Sequence, residues 1–446
     1  MRAFSLVFLV FLTVTPLSAQ YGGSDRIWWD AGQGSLFPWE QDFDDPLGRV
    51  SVLNTKGAVR TTGHPFFEAL GTNGRACITC HQPSNAMSIS AAAISKRWQE
   101  TSGKDPLFAA IDGSNCPDLP QQEASSHSLL VERGLFRIAL PWPPKKVVPE
   151  FRLEVVRDPT GCNLSKTYGL ESPAPAVSVF RRPRVTANLK YVVAGPEGLT
   201  FMADGRETSL EDQAVSAATG HQQATVPTRE QLRQIVEFES QLYMAQSADI
   251  RGGLLTEKDG PPALGAANLR GGVVGALAPS LSFDAWRPAS GAGELNTQLQ
   301  FRASVARGRD VFFGRTFAPG ATTCGTCHSA GITRWMDIGT TNHPMAEADP
   351  ALPLFRVTCE TTATPHPGLG RVIYTQDPGR ALVSGKCADV GAIVMQQFRG
   401  LAARAPYFSN GSAQTIPDIV EFYERRYMFR FAPGERQDLV DFLGVL

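Results

Sequence analysis

Two pentapeptides, Cys77-Ile-Thr-Cys80-His81 and Cys324-Gly-Thr-Cys327-His328, each set a pair of thiols one short turn apart with an imidazole directly behind them. Thiols at that spacing can each add to a vinyl group of one porphyrin, giving two thioethers, and the histidine is then held under the iron as its axial ligand. A zinc knuckle or a redox dithiol also uses Cys-x-x-Cys, but neither requires the histidine in that register, and here the register occurs in both motifs. The expected chemistry is covalent attachment of two c-type haems through Cys77, Cys80, Cys324 and Cys327, with His81 and His328 on the irons.

Compartment and composition agree with that chemistry. Arg2 precedes an apolar run from Phe4 to Leu12, and Pro16-Leu17-Ser18-Ala19 ends in small residues, the pattern of a secretory signal cut near Ala19. The run is short for a membrane span, and no later stretch is long enough for one. The chain is therefore expected in the periplasm, where thiols are presented for haem attachment after export. Four further cysteines, Cys116, Cys162, Cys359 and Cys387, are an even set in an exported chain. Proximity favours Cys116–Cys162 and Cys359–Cys387, although four cysteines allow three connectivities and buried free thiols are the alternative. The 446 residues carry a formal net charge of −1, without a basic stripe, which argues against nucleic acid as a partner.

The elements that must position these motifs read as helices. Ser209-Leu-Glu-Asp212 has capping-box spacing before Gln213-Ala214, and Thr228-Arg-Glu-Gln231 opens a helix with Leu232, Ile235, Val236 and Leu242 on one face. Ala303–Phe313, Ile416–Phe429 and Glu435–Leu443 are further helical stretches. With no sustained period of two, the expected fold is mainly α, with two cytochrome c-like haem domains and long loops. The N-terminal haem domain would span 20–251, with residues 20–60 an extended lead-in and a proline-bearing insertion (Pro141-Trp142-Pro143-Pro144) over about 82–180. A Gly/Ala/Pro-rich linker over 252–296 and a C-terminal haem domain over 297–446 would follow.

From about residue 71 onward the chain resembles the bacterial dihaem cytochrome c peroxidases, a family that includes the MauG-type enzymes. The resemblance rests on Asp204-Gly205-Arg206 with Leu210-Glu211-Asp212-Gln213-Ala214, on Asp377-Pro378-Gly379-Arg380 and Phe398-Arg399-Gly400, and on Ala405-Pro406-Tyr407-Phe408-Ser409-Asn410-Gly411-Ser412. It implies a reactive, N-terminal haem on His81 with an open face for hydrogen peroxide, and an electron-transfer haem on His328. By the same resemblance Tyr423 falls where the family places the sixth ligand of the second haem, with Met395 and Met428 as competitors. A phenolate there would stabilise ferric iron and favour higher oxidation states. Arg399 would pair with a haem propionate. An inter-haem calcium would take the Asn188 side chain and the carbonyls of Arg404 and Pro406. Members of the family are often homodimers, although no residue here argues for it.

The departures bear on catalysis. Gln213 matches a distal glutamine, but the glutamate expected ten positions later is Gln223, and an amide cannot serve as general acid or base. His221, two residues earlier, could take that role, or could bind the iron and close the site. Ala203 stands where the family has a tryptophan between the haems, with Trp335 a conceivable substitute, and Ser409 replaces a frequent histidine. The run Arg181-Arg182-Pro183-Arg184 reads as a solvated face.

Together these features point to a periplasmic cytochrome c peroxidase-like oxidoreductase, taking electrons from a small cytochrome or copper protein. The alternatives are a MauG-type enzyme that oxidises a residue of a partner protein, and a non-enzymatic dihaem electron carrier.

Overall fold

The computed structural model describes residues 27–192, 198–270, 282–289, 293, 296–317, 322–328, 335–337 and 348–446; the side chains of Cys327 and of 335–337 are not described. The expected export signal, residues 1–19, lies outside the described residues. No described helix is long and apolar enough to cross a membrane.

The expectation of a mainly α chain is corrected: 34% of the described residues are helical and 18% are in strands. Strands β1 (Glu40–Asp45), β2 (Gly48–Asn54), β3 (Phe136–Pro141), β4 (Phe151–Arg157), β5 (Ala176–Arg181), β6 (Leu242–Asp249), β7 (Trp335–Asp337), β8 (Leu354–Cys359), β9 (Val372–Thr375) and β10 (Ala392–Val394) form several small antiparallel sheets. Two groupings matter for the site. The lead-in strand β1 pairs with β2, and β2 pairs with β6, tying the start of the described chain to the segment after residue 241. Within the expected insertion, β3 pairs with β5, while β4 pairs with β8 of the C-terminal half from Phe151↔Cys359 to Leu354↔Arg157. The insertion is thus shared between both halves. The disulfides Cys116–Cys162 and Cys359–Cys387 are formed, the pairing that proximity favours.

The helices that carry the chemistry are α1 (Cys77–Cys80), α2 (Ala110–Gly113), α3 (Leu210–His221), α4 (Arg229–Gln241), α5 (Thr297–Gly314), α6 (Cys324–His328), α7 (Ile416–Arg426) and α8 (Pro433–Gly444). The capping residues expected from sequence act as such: the Ser209 hydroxyl accepts from Asp212 N, and Thr228 and Gln231 close a reciprocal box at the start of α4. Each such cap contributes about 1 kcal/mol. Helices α5 and α8 cross at Gly308, where a Cβ would sit 1.9 Å from the Asp438 carbonyl oxygen, so the approach needs glycine.

Two apolar clusters back the two motifs. One joins Trp29, Phe37, Phe66, Phe67, Ile78 and Phe238 behind α1. The other gathers Phe301, Phe312, Leu439, Phe442 and Leu446, and also takes in Leu255, Leu264, Leu269, Phe283 and Trp286. The described part of the expected linker is therefore packed as core; a buried side chain of this kind contributes about 1.5–3 kcal/mol.

Candidate functional site: two clefts joined by an arginine wall

The first motif opens on a cleft of about 1190 Å³ lined by Cys80 and His81. Nδ1 of His81 lies 3.2 Å from the Met87 carbonyl, which fixes the ring and leaves Nε2 as the nitrogen available to the cleft. Burial pulls His81 down to about 4, so the imidazole is neutral, the form that ligates metals. Burial also pushes the Cys77 and Cys80 thiols up, the opposite of the activated thiolate a redox dithiol needs.

Helix α3 supplies one wall. Leu210, Gln213, Ala217 and His221 all line the cleft, as residues three or four apart on a helix should. The Gln213 side-chain oxygen is buried without a hydrogen-bond partner, a polar atom aimed at the cleft. His221 is held by Asp112 of α2, its Nδ1 2.5 Å from Oδ2. Gln223, by contrast, is exposed, at φ +54°, and does not line the cleft. Its neighbour Gln222 turns inward instead, donating from Nε2 to Cys77 Sγ at 3.5 Å and accepting from Leu70 N at 3.2 Å.

The insertion takes part directly, since Asp112, Phe136 and Ile138 line the cleft. So does Glu239 of α4, which is 2% exposed, has an oxygen without a partner, and is pushed up to about 8 by burial. Sequence reasoning missed both acids. Asp112 carries no motif, but Glu239 breaks the apolar face set by Ile235 and Phe238, and that break is a signal.

The second motif lies between two adjoining cavities of about 750 and 560 Å³, both lined by His328 and Tyr423. Cys324 lines the smaller one; the Cys327 side chain lies outside the described residues. The Tyr423 hydroxyl comes within 3.4 Å of His328 Nε2. Burial pulls His328 down to about 4. Of the competing methionines, Met395 is buried and lines the larger cavity, whereas Met428 is 92% exposed and faces solvent.

A shared wall separates the two sites: Arg182, Pro183, Val394, Gln396 and Gln397 line both the first cleft and the larger second cavity. The solvated-face reading of 181–184 is corrected here. Arg181 and Arg182 are 3% and 5% exposed. Arg181 bridges Asp204 and Asp377, with Nε 2.6 Å from Asp377 Oδ2, so the two Asp-Gly-Arg-like motifs are clamped by one buried guanidinium. Arg182 and Arg184 donate to backbone carbonyls, Arg184 to Val394 O at 2.7 Å and Met395 O at 2.6 Å. Burial and the neighbouring Arg404 pull Arg182 down to about 9, and burial pulls Arg404 down to about 10. Buried cations held by carbonyl and amide oxygens are stabilised by added anions. A porphyrin brings two propionates, so these residues and the motif histidines fit haem on both sides of the wall.

Calcium does not fit. Asn188 Oδ1 accepts from Met244 N at 3.0 Å, while Nδ2 donates to Met244 O at 2.9 Å and to Gln397 Oε1 at 2.8 Å. The Arg404 carbonyl accepts from Arg182 Nη2 at 2.9 Å. Arg404 itself points its guanidinium at Gln396 Oε1 and Gln397 O. A dication at the Asn188, Arg404 and Pro406 position would meet guanidinium charge in a buried setting, which is strongly unfavourable.

Arg399 is buried and donates to Ala263 O at 2.6 Å; it does not line these three cavities. Ala203 lines the first cleft, and its carbonyl accepts from Val394 N, while Val394 pairs across the strands with Trp335. The Trp335 side chain lies outside the described residues. Ser409 lines the larger second cavity and accepts from Arg182 N at 2.8 Å.

No family model matches the chain, and no curated protein matches it. Among solved structures, a MauG-like protein associated with microbial copper homeostasis aligns at 16% identity over 61% of this chain and 74% of its own, with a TM-score of 0.32. Hydrazine synthase from Kuenenia stuttgartiensis aligns at 15% identity over 80% of this chain and 93% of its own, with a TM-score of 0.31. Likenesses at these TM-scores carry no weight for function.

Proposed function

We propose that the chain is an exported dihaem c-type oxidoreductase that reduces hydrogen peroxide at the His81 cleft, with electrons entering from a small redox protein through the His328 site. The observation that carries this reading is the inequality of the two histidines. Among the described residues, His81 faces a cleft with polar groups but no side chain in hydrogen-bond contact with its ring, whereas His328 faces Tyr423 at 3.4 Å. One side is open for a small oxidant and the other closed for electron transfer.

When bound, haem would supply an iron that takes peroxide and exchanges electrons. The chain would hold it through Cys77, Cys80 and His81 in one cleft and Cys324, Cys327 and His328 in the other, with Arg182, Arg184 and Arg404 toward the propionates. Gln213 offers an amide to orient a bound peroxide, and His221 an imidazole to move its proton. Tyr423 favours a second reading, in which the same oxidising power modifies a residue of a partner protein, because a phenolate ligand stabilises high oxidation states.

Ferric optical and EPR spectra test the inequality: one exchangeable or high-spin haem beside one low-spin haem is expected, and two low-spin haems that admit no exogenous ligand would remove the enzymatic reading. Steady-state turnover of peroxide with a reduced small cytochrome then separates the peroxidase from the protein-modifying enzyme.

A further inference from the structure

Three segments far apart in sequence converge on His221. Its Nδ1 lies 2.5 Å from Oδ2 of Asp112, and Asp112 is 4% exposed. The other carboxylate oxygen, Oδ1, is bound by Nη1 of Arg75, a residue 1% exposed that stands just before the first motif. Arg75 is itself fixed by donating to Pro106 O at 2.7 Å and Leu107 O at 2.6 Å. Gly113 makes room for it, since a Cβ there would lie 2.9 Å from Arg75 Nη2. The backbone is tied as well: the His221 carbonyl accepts from Asn73 Nδ2 at 2.8 Å and Arg75 Nη1 at 3.3 Å.

An ionised carboxylate accepts and does not donate, so the shared proton is on Nδ1 of His221. In the neutral ring the lone pair is then on Nε2, which has no partner among the described residues, and the ring lines the same cleft as His81. A base oriented by a buried carboxylate, which is in turn oriented by a third group, is the arrangement that other enzymes use to move protons.

We propose that His221 is the acid–base residue of the first cleft and that Asp112, anchored by Arg75, is its positioning residue, together replacing the carboxylate missing at Gln223. The proposal rests on the peroxide reading. In the reaction, Nε2 takes one proton from hydrogen peroxide. The O–O bond then breaks heterolytically, and Nε2 returns that proton to the departing oxygen, which leaves as water. Two electrons from the donor protein, for which the bound haem would supply the path, and two solvent protons complete the second water. Other charged groups lining the cleft are Glu239, Arg181, Arg182, Arg184 and Arg206, and Arg137 interacts with Asp112.

Hydrogen cyanide and carbon monoxide, added to the haem-loaded protein, separate proton transfer from mere access. HCN must lose its proton to bind ferric iron; CO binds ferrous iron without any proton transfer. His221→Leu should slow HCN association by about 100-fold or more, and Asp112→Asn by about 10-fold or more, with CO association within about two-fold of the parent. Unchanged HCN association in both variants overturns the proposal even if the parent reduces peroxide. A parent that fails to reduce peroxide but shows the variant effect removes the peroxide reading and leaves the base assignment standing. A parent that binds neither ligand until His221 is removed shows the ring on the iron, and overturns the proposal.

Discussion

The hydroxyl of Tyr423 lies 3.4 Å from Nε2 of His328, with the two rings at 90°. When haem is bound, a small parting of the rings would let His328 Nε2 and the Tyr423 hydroxyl hold its iron together. Helix α7 carries Tyr423 and is fixed by the Thr415 cap and by Ile419 and Val420 in the core. Tyr423→Met should raise the reduction potential of the second haem by on the order of 100 mV, because thioether favours ferrous iron where phenolate favours ferric. Tyr423→Phe should convert that haem to high-spin. Spectroelectrochemical titration reads both, and a potential unchanged in the methionine variant would remove Tyr423 from the iron.

The Asn188–Arg404–Pro406 position should bind no calcium, since the Asn188 side-chain oxygen and the Arg404 carbonyl already accept from Met244 N and Arg182 and guanidinium charge stands beside them. Metal analysis of the purified protein should find less than about one tenth of an equivalent, and chelation should leave the haem spectra unchanged. Stoichiometric calcium, or a spectrum that changes with chelator, would contradict this.

How much of this was legible without coordinates depends on the range of the signal. The haem motifs, the Ser209 and Thr228 caps and the five long helices expected from sequence are local patterns, and the sequence shows them. Strand β6 was hidden because Leu242–Asp249 is buried on both faces and directly continues α4, so it has no alternation to read. Strand β4 did alternate, with Phe151, Leu153 and Val155 on one face, but over too few residues to stand out from loop. Asp112 is invisible in sequence because its role comes only from the fold that sets it against His221 and Arg75. The arginine run misled because charge in sequence says nothing about carbonyls arriving from Val394, Met395 and Arg404.

Glu239 sets a pH dependence of stability. Burial raises its folded value to about 8 from 4.5, so the folded state keeps its proton while the unfolded chain loses it. The associated stability is present below pH 4.5 and is lost progressively as pH rises toward 8, at about 1.4 kcal/mol per unit. Glu239→Gln, which keeps the shape and cannot ionise, should therefore raise Tm little at pH 5 and clearly at pH 8. Thermal unfolding at the two values checks it; an equal effect at both would mean that the carboxylate is charged in the folded protein.

The Cys116–Cys162 disulfide connects stability to the first cleft. It closes a separation of 46 residues, for which the chain-entropy argument gives about 4 kcal/mol. Cys116 also lies four residues beyond Asp112, and the same segment is braced by Asn115 N, which donates to the Ser126 carbonyl at 2.7 Å, and by His127 Nδ1, 2.7 Å from the Gly113 carbonyl. Replacing both cysteines by serine should lower unfolding free energy by about 2–4 kcal/mol. It should also slow HCN association, because a looser α2 holds the Asp112 carboxylate less firmly against His221. The Cys359–Cys387 bridge spans 28 residues on the sheet formed by β4, β8 and β9, away from α2. Its serine pair should cost comparable stability while leaving HCN association unchanged. The two double variants thus separate general loosening from loosening of the proton relay, and equal effects on HCN would show that Cys116–Cys162 has no special hold on Asp112.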